Sequence, residues 1–303
     1  MGLFKRKRPR TVIEPAKTAP PQRGCADLAL GNVQGIGIRQ EQEDSFAFSG
    51  ATGATGSMKD GLFAVLADGM GGLEHGRACS EAAVEGLCAL YAKLGGTPEP
   101  EALRSGVEEL NRALHQHFGG RSGTTAAAVF LQNGGVSWIS VGDSAVFLRR
   151  GAGLYQLNCA QNQRNALYIQ ALSREPMEPE PARQDPDAPR LRAFLGMPST
   201  PELDYSRRPL PLQLGDVLLL CSDGVSGVLS EQELLQVLSL PPADGCGLLE
   251  DMIVNKHNSC QDNYTGILIA YTGGETGHEE YDSDSDFVSG SAGSTGGPGC
   301  GCV

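Results

Sequence analysis

Two stretches of this chain are apolar at every position and end on the same dipeptide. Leu62–Ala67 runs into Asp68-Gly69, and Val217–Cys221 runs through Ser222 into Asp223-Gly224. A half-wet strand alternates polar and apolar residues; an uninterrupted run of five or six apolar residues reads as a strand buried on both faces. The fold must therefore cover its sheets on both sides. A third apolar strand, Tyr264–Tyr271, closes the chain two residues after Asp262.

Between these strands the period changes. Val84, Leu87, Cys88, Tyr91 and Leu94 fall on one helical face, and Gly95-Gly96 stops that helix. Leu103, Val107, Leu110, Leu114 and Phe118 repeat the spacing up to Gly119-Gly120. Short strands are expected at Val33–Ile38 and Phe46–Phe48. Three more are expected at Thr125–Leu131, Val136–Val141 and Ala145–Arg149, with turns at Gly134-Gly135 and Asp143-Ser144. Ser230-x-x-Glu233 is a capping box opening a helix through Leu234, Leu235 and Leu238, and a further helix is expected over Leu248–Asn255. Residues 174–190 hold five prolines and five acids and read as a loop without helix. Strands and paired helices in this order give an α+β fold, two sheets packed together with helices outside. A Rossmann-type domain would alternate strand and helix singly.

The 303 residues allow one large domain or two small ones. Residues 1–22, basic and Pro-rich, and residues 273–303, rich in Gly, Ser and acid, read as disordered tails around one body, 23–272. The net charge is −12, and six of the 24 Lys and Arg lie in the first 22 residues, so the body is strongly acidic. An acidic body repels nucleic acid. No apolar run reaches the ~20 residues that cross a bilayer, and the basic start lacks the apolar core of a secretory signal. Nine cysteines without a Cys-x-x-Cys pair point to free thiols in a reducing compartment, the cytoplasm.

Five carboxylates stand at or beside strand ends: Asp44, Asp68, Asp143, Asp223 and Asp262. Singly, an Asp-Gly is a common hairpin turn. Together they form an oxygen-only donor set, which suits Mg²⁺ or Mn²⁺; no His-x-x-x-His or Cys cluster calls for zinc.

Seven ordered blocks now carry a resemblance. They are Arg39-x-x-x-Glu43-Asp44, Phe63–Asp68-Gly69-Met70-Gly71-Gly72, Ser122-Gly123-Thr124-Thr125, Val141-Gly142-Asp143-Ser144, Leu191–Gly196, Gly215-Asp216 through Ser222-Asp223-Gly224, and Asp262-Asn263. In this order, spanning about 31–271, they resemble the metal-dependent (PPM, type-2C) serine/threonine protein phosphatases, with the spelling of the bacterial branch. The resemblance implies a four-layer α/β/β/α sandwich. It implies that Asp44, Asp68, Asp223 and Asp262, with the Gly69 carbonyl, hold two Mg²⁺ or Mn²⁺ ions. Asp143 with Asp223 would hold a third, weaker ion. Arg39 would clamp the substrate phosphate, Glu43 would orient metal-bound water, and a metal-bridging hydroxide would attack phosphorus. Phosphorylated proteins, with a cognate serine/threonine kinase as counterpart, are the implied partners, and about 160–190 is the implied flap beside the site.

The chain departs from that branch in places. The Asp-His-Ser block expected after Leu157 is replaced by Asn158-Cys159-Ala160-Gln161-Asn162, and Ala145, Leu73 and Arg77 replace an Arg, a His and a Glu. None is an implied metal ligand. The departures bear on the leaving-group acid, for which His75 is a candidate, and on substrate choice. A catalytically silent phosphoprotein-binding regulator is the alternative; the full set of five Asp favours the enzyme. A two-metal nuclease is disfavoured by the acidic body.

Overall fold

The computed structural model describes residues 27–70, 75–95, 99–173 and 184–273. The chain forms β1 (Leu28–Gly35), β2 (Asp44–Ser49), β3 (Ala51–Thr52), β4 (Thr55–Gly56), β5 (Leu62–Asp68), α1 (Gly76–Leu94) and α2 (Pro100–Phe118). Next come β6 (Ala126–Gln132), β7 (Gly135–Val141), β8 (Ala145–Arg150), β9 (Gly153–Gln156), α3 (Gln163–Leu172), β10 (Asp204–Tyr205) and β11 (Leu210–Pro211). It ends with β12 (Val217–Cys221), α4 (Asp223–Ser226), α5 (Glu231–Leu238), α6 (Pro242–Asn255) and β13 (Tyr264–Tyr271). One sheet runs β3-β4-β1-β13-β12-β8-β9; the other runs β10-β7-β6-β5-β2, with β11 also on β7. The pairings are antiparallel, including β5 with β2 and β6, and β13 with β1 and β12.

The two uninterrupted apolar strands are central, and their alternate residues serve different layers. Leu62, Ala64 and Leu66 of β5 meet Leu218 and Leu220 of β12 in the core between the sheets. Phe63, Val65 and Ala67 face the other way, onto Leu87 and Tyr91 of α1 and Leu103 and Val107 of α2. Leu219 and Cys221 likewise face Leu234, Val237 and Leu238 of α5 and Leu249 and Ile253 of α6. Full burial of each large apolar side chain contributes about 1.5–3 kcal/mol, so covering both faces of a strand roughly doubles its share. This is the four-layer sandwich, helices–sheet–sheet–helices. No described helix is long and apolar enough to cross a membrane.

The local signals act as expected at several ends. Gly95 and Gly119 end α1 and α2 in the left-handed conformation, at φ 76° and 62°. Ser230 and Glu233 form both bonds of the capping box. Other expectations need correction. The first strand is Leu28–Gly35, not Val33–Ile38, because Gly37 turns the chain at φ 60° and leaves Ile36 and Ile38 exposed. The last helix begins at Pro242 rather than Leu248, with proline at the position where no N–H is needed. Helix α3 was not expected. Its Ile169 and Leu172 are exposed, so it carries no clean apolar stripe; the signal present was Asn162, whose side chain caps Asn165 N–H at 3.1 Å. Gln184 is helical, against the expected helix-free loop over 174–190, whose centre lies outside the described residues. The expected tails lie outside them too, save Gly273 at the boundary.

Candidate metal centre

Several strand ends meet at one edge of the sandwich. Asp44 opens β2 directly opposite Asp68, the last residue of β5. β12 and β13 are neighbours, so Asp223, just past the end of β12, lies beside Asp262, just before β13. The sheets are joined here by Asp44 itself. Its Oδ2 accepts from Ser222 Oγ at 2.8 Å and Thr265 Oγ1 at 2.7 Å, both from the opposite sheet's strand ends. Its Oδ1 is buried and has no hydrogen-bond partner among the described residues.

A buried carboxylate oxygen without a donor is costly, and mutual repulsion adds to the cost. Burial, ahead of the charge of Asp223, pushes Asp44 up to about 6, against the hydrogen bonds from Thr265 and Ser222. Asp68 is pushed well above the usual carboxylate range by desolvation, then by Asp44, Asp223, Asp143 and Asp262. Asp223 opens to solvent, yet the protein around its carboxylate raises its pKa, and Asp262 adds to the effect. Asp143 is pushed up to about 6 by burial and by Asp223, opposed by a hydrogen bond with Asn162.

The five sequence-selected Asp therefore form one electrostatic group. Among the described residues no three His, Cys, Asp or Glu stand as a ready-made metal shell. Fit to a cation rests instead on two features: the orphaned Asp44 Oδ1, and an all-oxygen donor set that repels itself. A hard divalent cation meets both demands.

The loop between β1 and β2 carries Arg39 and Glu43. Arg39 Nη2 donates to Asp262 Oδ2 at 2.6 Å at the exposed edge of the cluster. Burial raises the Glu43 pKa, opposed by Arg39. Asn263, which is buried, holds this loop at three points. Its Oδ1 accepts from Glu43 N–H at 2.8 Å, and its Nδ2 donates to the carbonyls of Ile36 at 2.9 Å and Glu41 at 3.0 Å.

The floor is built on close backbone approach. Gly69 N–H donates to the Glu43 carbonyl at 3.1 Å, and a Cβ at Gly69 would stand 2.4 Å from the Gly76 carbonyl oxygen. A Cβ at Gly76 would stand 2.4 Å from Glu43 Oε1. Thr124 Oγ1 donates to the Asp68 carbonyl at 2.9 Å, and Asp68 N–H donates to Thr125 Oγ1 at 3.0 Å. His75 is exposed, at φ 63° just before α1; its carbonyl accepts from Ser122 Oγ, and no described hydrogen bond joins its ring to the cluster.

Sequence reasoning missed Ser222 and Thr265 as partners of Asp44, and Asn263 as the loop's anchor. Each was visible as a polar residue beside or within an apolar strand; only the strand pairing says what it touches.

The comparisons bear on the family and the fold. Residues 40–243 match the family model for protein phosphatase 2C. The chain is 28% identical over 216 residues to the serine/threonine phosphatase stp of Listeria monocytogenes, covering 68% of this chain and 82% of that protein. Among solved structures, serine/threonine phosphatase Stp1 from Staphylococcus aureus superposes with a TM-score of 0.67 at 21% identity, over 84% of this chain and all of that one. The catalytic domain of the serine/threonine protein phosphatase PstP, in complex with two manganese ions, gives 0.63 at 24% identity, over 81% of this chain and 99% of that one. This chain belongs to the protein phosphatase 2C family, in its bacterial-type branch of metal-dependent serine/threonine phosphatases.

Proposed function

We propose that this chain hydrolyses phosphoserine and phosphothreonine in proteins, using two Mg²⁺ or Mn²⁺ ions held by Asp44, Asp68, Asp223 and Asp262 with the Gly69 carbonyl. A third, weaker ion would lie between Asp143 and Asp223. The observation that carries the reading is Asp44: a buried carboxylate between two sheets with one oxygen lacking a donor among the described residues. When bound, the ions would supply Lewis-acid charge neutralisation and a low-pKa water as nucleophile.

The rest falls to side chains. Arg39 stands at the exposed edge with its guanidinium already on a carboxylate; a planar fork binds a phosphoryl group through two charge-assisted bonds. Holding the phosphate there orients phosphorus for in-line attack. Glu43, raised by burial, is placed to accept a hydrogen bond from water at the cluster. Ser222 and Thr265 fix the Asp44 carboxylate through Oδ2, and its other oxygen would be free to hold a cation. His75, at the exposed lip, is the candidate donor to the leaving oxygen. Cys79, Cys221 and Cys246 would take no part: they are buried, with their thiol pKa values raised by burial.

Free thiols suit a reducing cytoplasm, where phosphorylated proteins and a cognate kinase would be the partners. The catalytic unit would be 23–272, flanked by the two tails, with about 160–190 as a flap that tunes access.

The test is phosphate release from a phosphothreonine peptide by chelator-stripped protein, with and without Mn²⁺ or Mg²⁺. Metal-dependent release supports the enzyme. Folded protein that binds the peptide without releasing phosphate would establish the silent regulator instead, and nicking of plasmid DNA with Mn²⁺ would establish a nuclease.

A further inference from the structure

Beside the carboxylate cluster lies a cavity of about 470 Å³ lined by Gln163, Asp187, Arg190, Leu191, Arg192 and Phe194. Two backbone ladders tie it to the centre. Leu191 bridges Asn162, and the preceding Gln161 N–H donates to the Gly142 carbonyl at 2.8 Å, next to Asp143. Leu195 bridges Thr124, and Thr124 bridges Gly69. Adjacent extended segments lie ~4.8 Å apart, so two steps put the cavity floor roughly 10 Å from Gly69. Phe194 closes the near wall against Gly123, where a Cβ would stand 2.6 Å from its ring.

Two arginines line the cavity against one described carboxylate, in a chain whose net charge is −12. Arg190 and Arg192 are exposed, and neither enters an ion pair among the described residues. Arg192 Nη1 donates to Gln163 Oε1 at 3.1 Å; the guanidinium has four further N–H donors. Asp187 is the one carboxylate among the described residues of the lining. On an acidic chain, arginines outside the described ion pairs are where an anionic ligand meets attraction.

We propose that this cavity binds a second anionic group of the substrate chain, a carboxylate or a further phosphate, placed about three residues from the phosphoresidue under attack. The spacing follows from the ~10 Å separation and a rise of ~3.4 Å per residue of extended peptide. Arginine rather than lysine suits both anions, because its fork donates two parallel N–H bonds to a pair of oxygens on either. This subsite rests on the phosphatase reading and specifies its substrate class.

The experiment compares three phosphothreonine peptides in kcat/KM: one with neutral neighbours, one with Glu three residues away on either side, and one with a second phosphoserine there. The enzymes are the full chain and its Arg190→Gln/Arg192→Gln variant, with melting temperature as the control for folding. The parent should favour an anionic peptide roughly tenfold at low salt, through KM, and the variant should favour it less than twofold. Added salt should shrink the parent's preference. Preference for the Glu peptide assigns the carboxylate, and preference for the doubly phosphorylated one assigns phosphate. No preference in the parent, or an equal preference in the variant, overturns the subsite. Should the parent release phosphate from none of them, the phosphatase reading fails. The subsite is then judged by fluorescence anisotropy of the labelled peptides: loss of binding in the variant sustains it, equal binding refutes it.

Discussion

Asp44→Asn should make the metal-free protein more stable while destroying its activity. The folded environment raises the Asp44 pKa from 3.8 to about 6, chiefly by burial. A raised carboxylate pKa means that the folded state binds more protons than the unfolded one between those values. Stability contributed by this group is therefore present at low pH and is lost as pH rises through about 4 to 6. A shift of about two units corresponds to ~3 kcal/mol of penalty at pH 7.5, at 1.4 kcal/mol per unit. The amide carries no charge, so it escapes that penalty, and its oxygen still accepts from Ser222 and Thr265. For a domain of this size ~3 kcal/mol moves the melting temperature by roughly 6–12 °C. The assay is thermal unfolding in chelator at pH 7.5 and at pH 4. The variant should melt higher than the parent at pH 7.5 and close to it at pH 4. Added Mn²⁺ should raise the parent and leave the variant nearly unmoved. A variant that melts below the parent in chelator at pH 7.5, or a difference independent of pH, would refute the reasoning.

Asn263→Ala removes three hydrogen bonds from a buried position and should cost about 2–4 kcal/mol in urea unfolding, with kcat/KM reduced at least tenfold as the Arg39–Glu43 loop loosens; a loss under 0.5 kcal/mol with unchanged kinetics would remove Asn263 as the anchor. Gly76→Ala places a methyl 2.4 Å from Glu43 Oε1 and 2.9 Å from the Met70 carbonyl oxygen, so kcat should fall while secondary structure by circular dichroism is retained. Arg39→Ala should raise KM mainly, about tenfold or more; a loss confined to kcat would place Arg39 in the transition state instead.

Much of the layered architecture was legible because burial on both faces leaves a mark in composition. Leu62–Ala67 and Val217–Cys221 could be nothing but central strands, and the helix-period runs around Leu87 and Leu110 had to lie against them. The acidic cluster was legible for a related reason: Asp68 and Asp223 follow those same runs, Asp44, Asp143 and Asp262 stand at or beside other strand ends, and strand pairing sets Asp44 opposite Asp68. What was not legible depends on tertiary context. α3 keeps Ile169 and Leu172 exposed and so shows no apolar face. The first strand was misplaced because Ile36 and Ile38 look like strand residues, whereas Gly37 packs against the carbonyls of Gln261 and Asp262 and turns the loop outward. The two-residue strands β3, β4, β10 and β11 are too short to show a period. Thr265 reads as a polar interruption of an apolar strand; only pairing across the sandwich makes it a donor to Asp44.

The central claim is that the Asp cluster holds the divalent cations on which phosphate release depends. The most direct measurement is calorimetric titration of chelator-stripped protein with Mn²⁺ at pH 7.5, run in parallel on Asp223→Asn, with phosphothreonine-peptide hydrolysis recorded on the same samples. The expected result is about two ions bound by the parent, at least one lost in the variant, and turnover lost with it. Near-normal turnover in Asp223→Asn, or no saturable Mn²⁺ binding by an active parent, would contradict the claim.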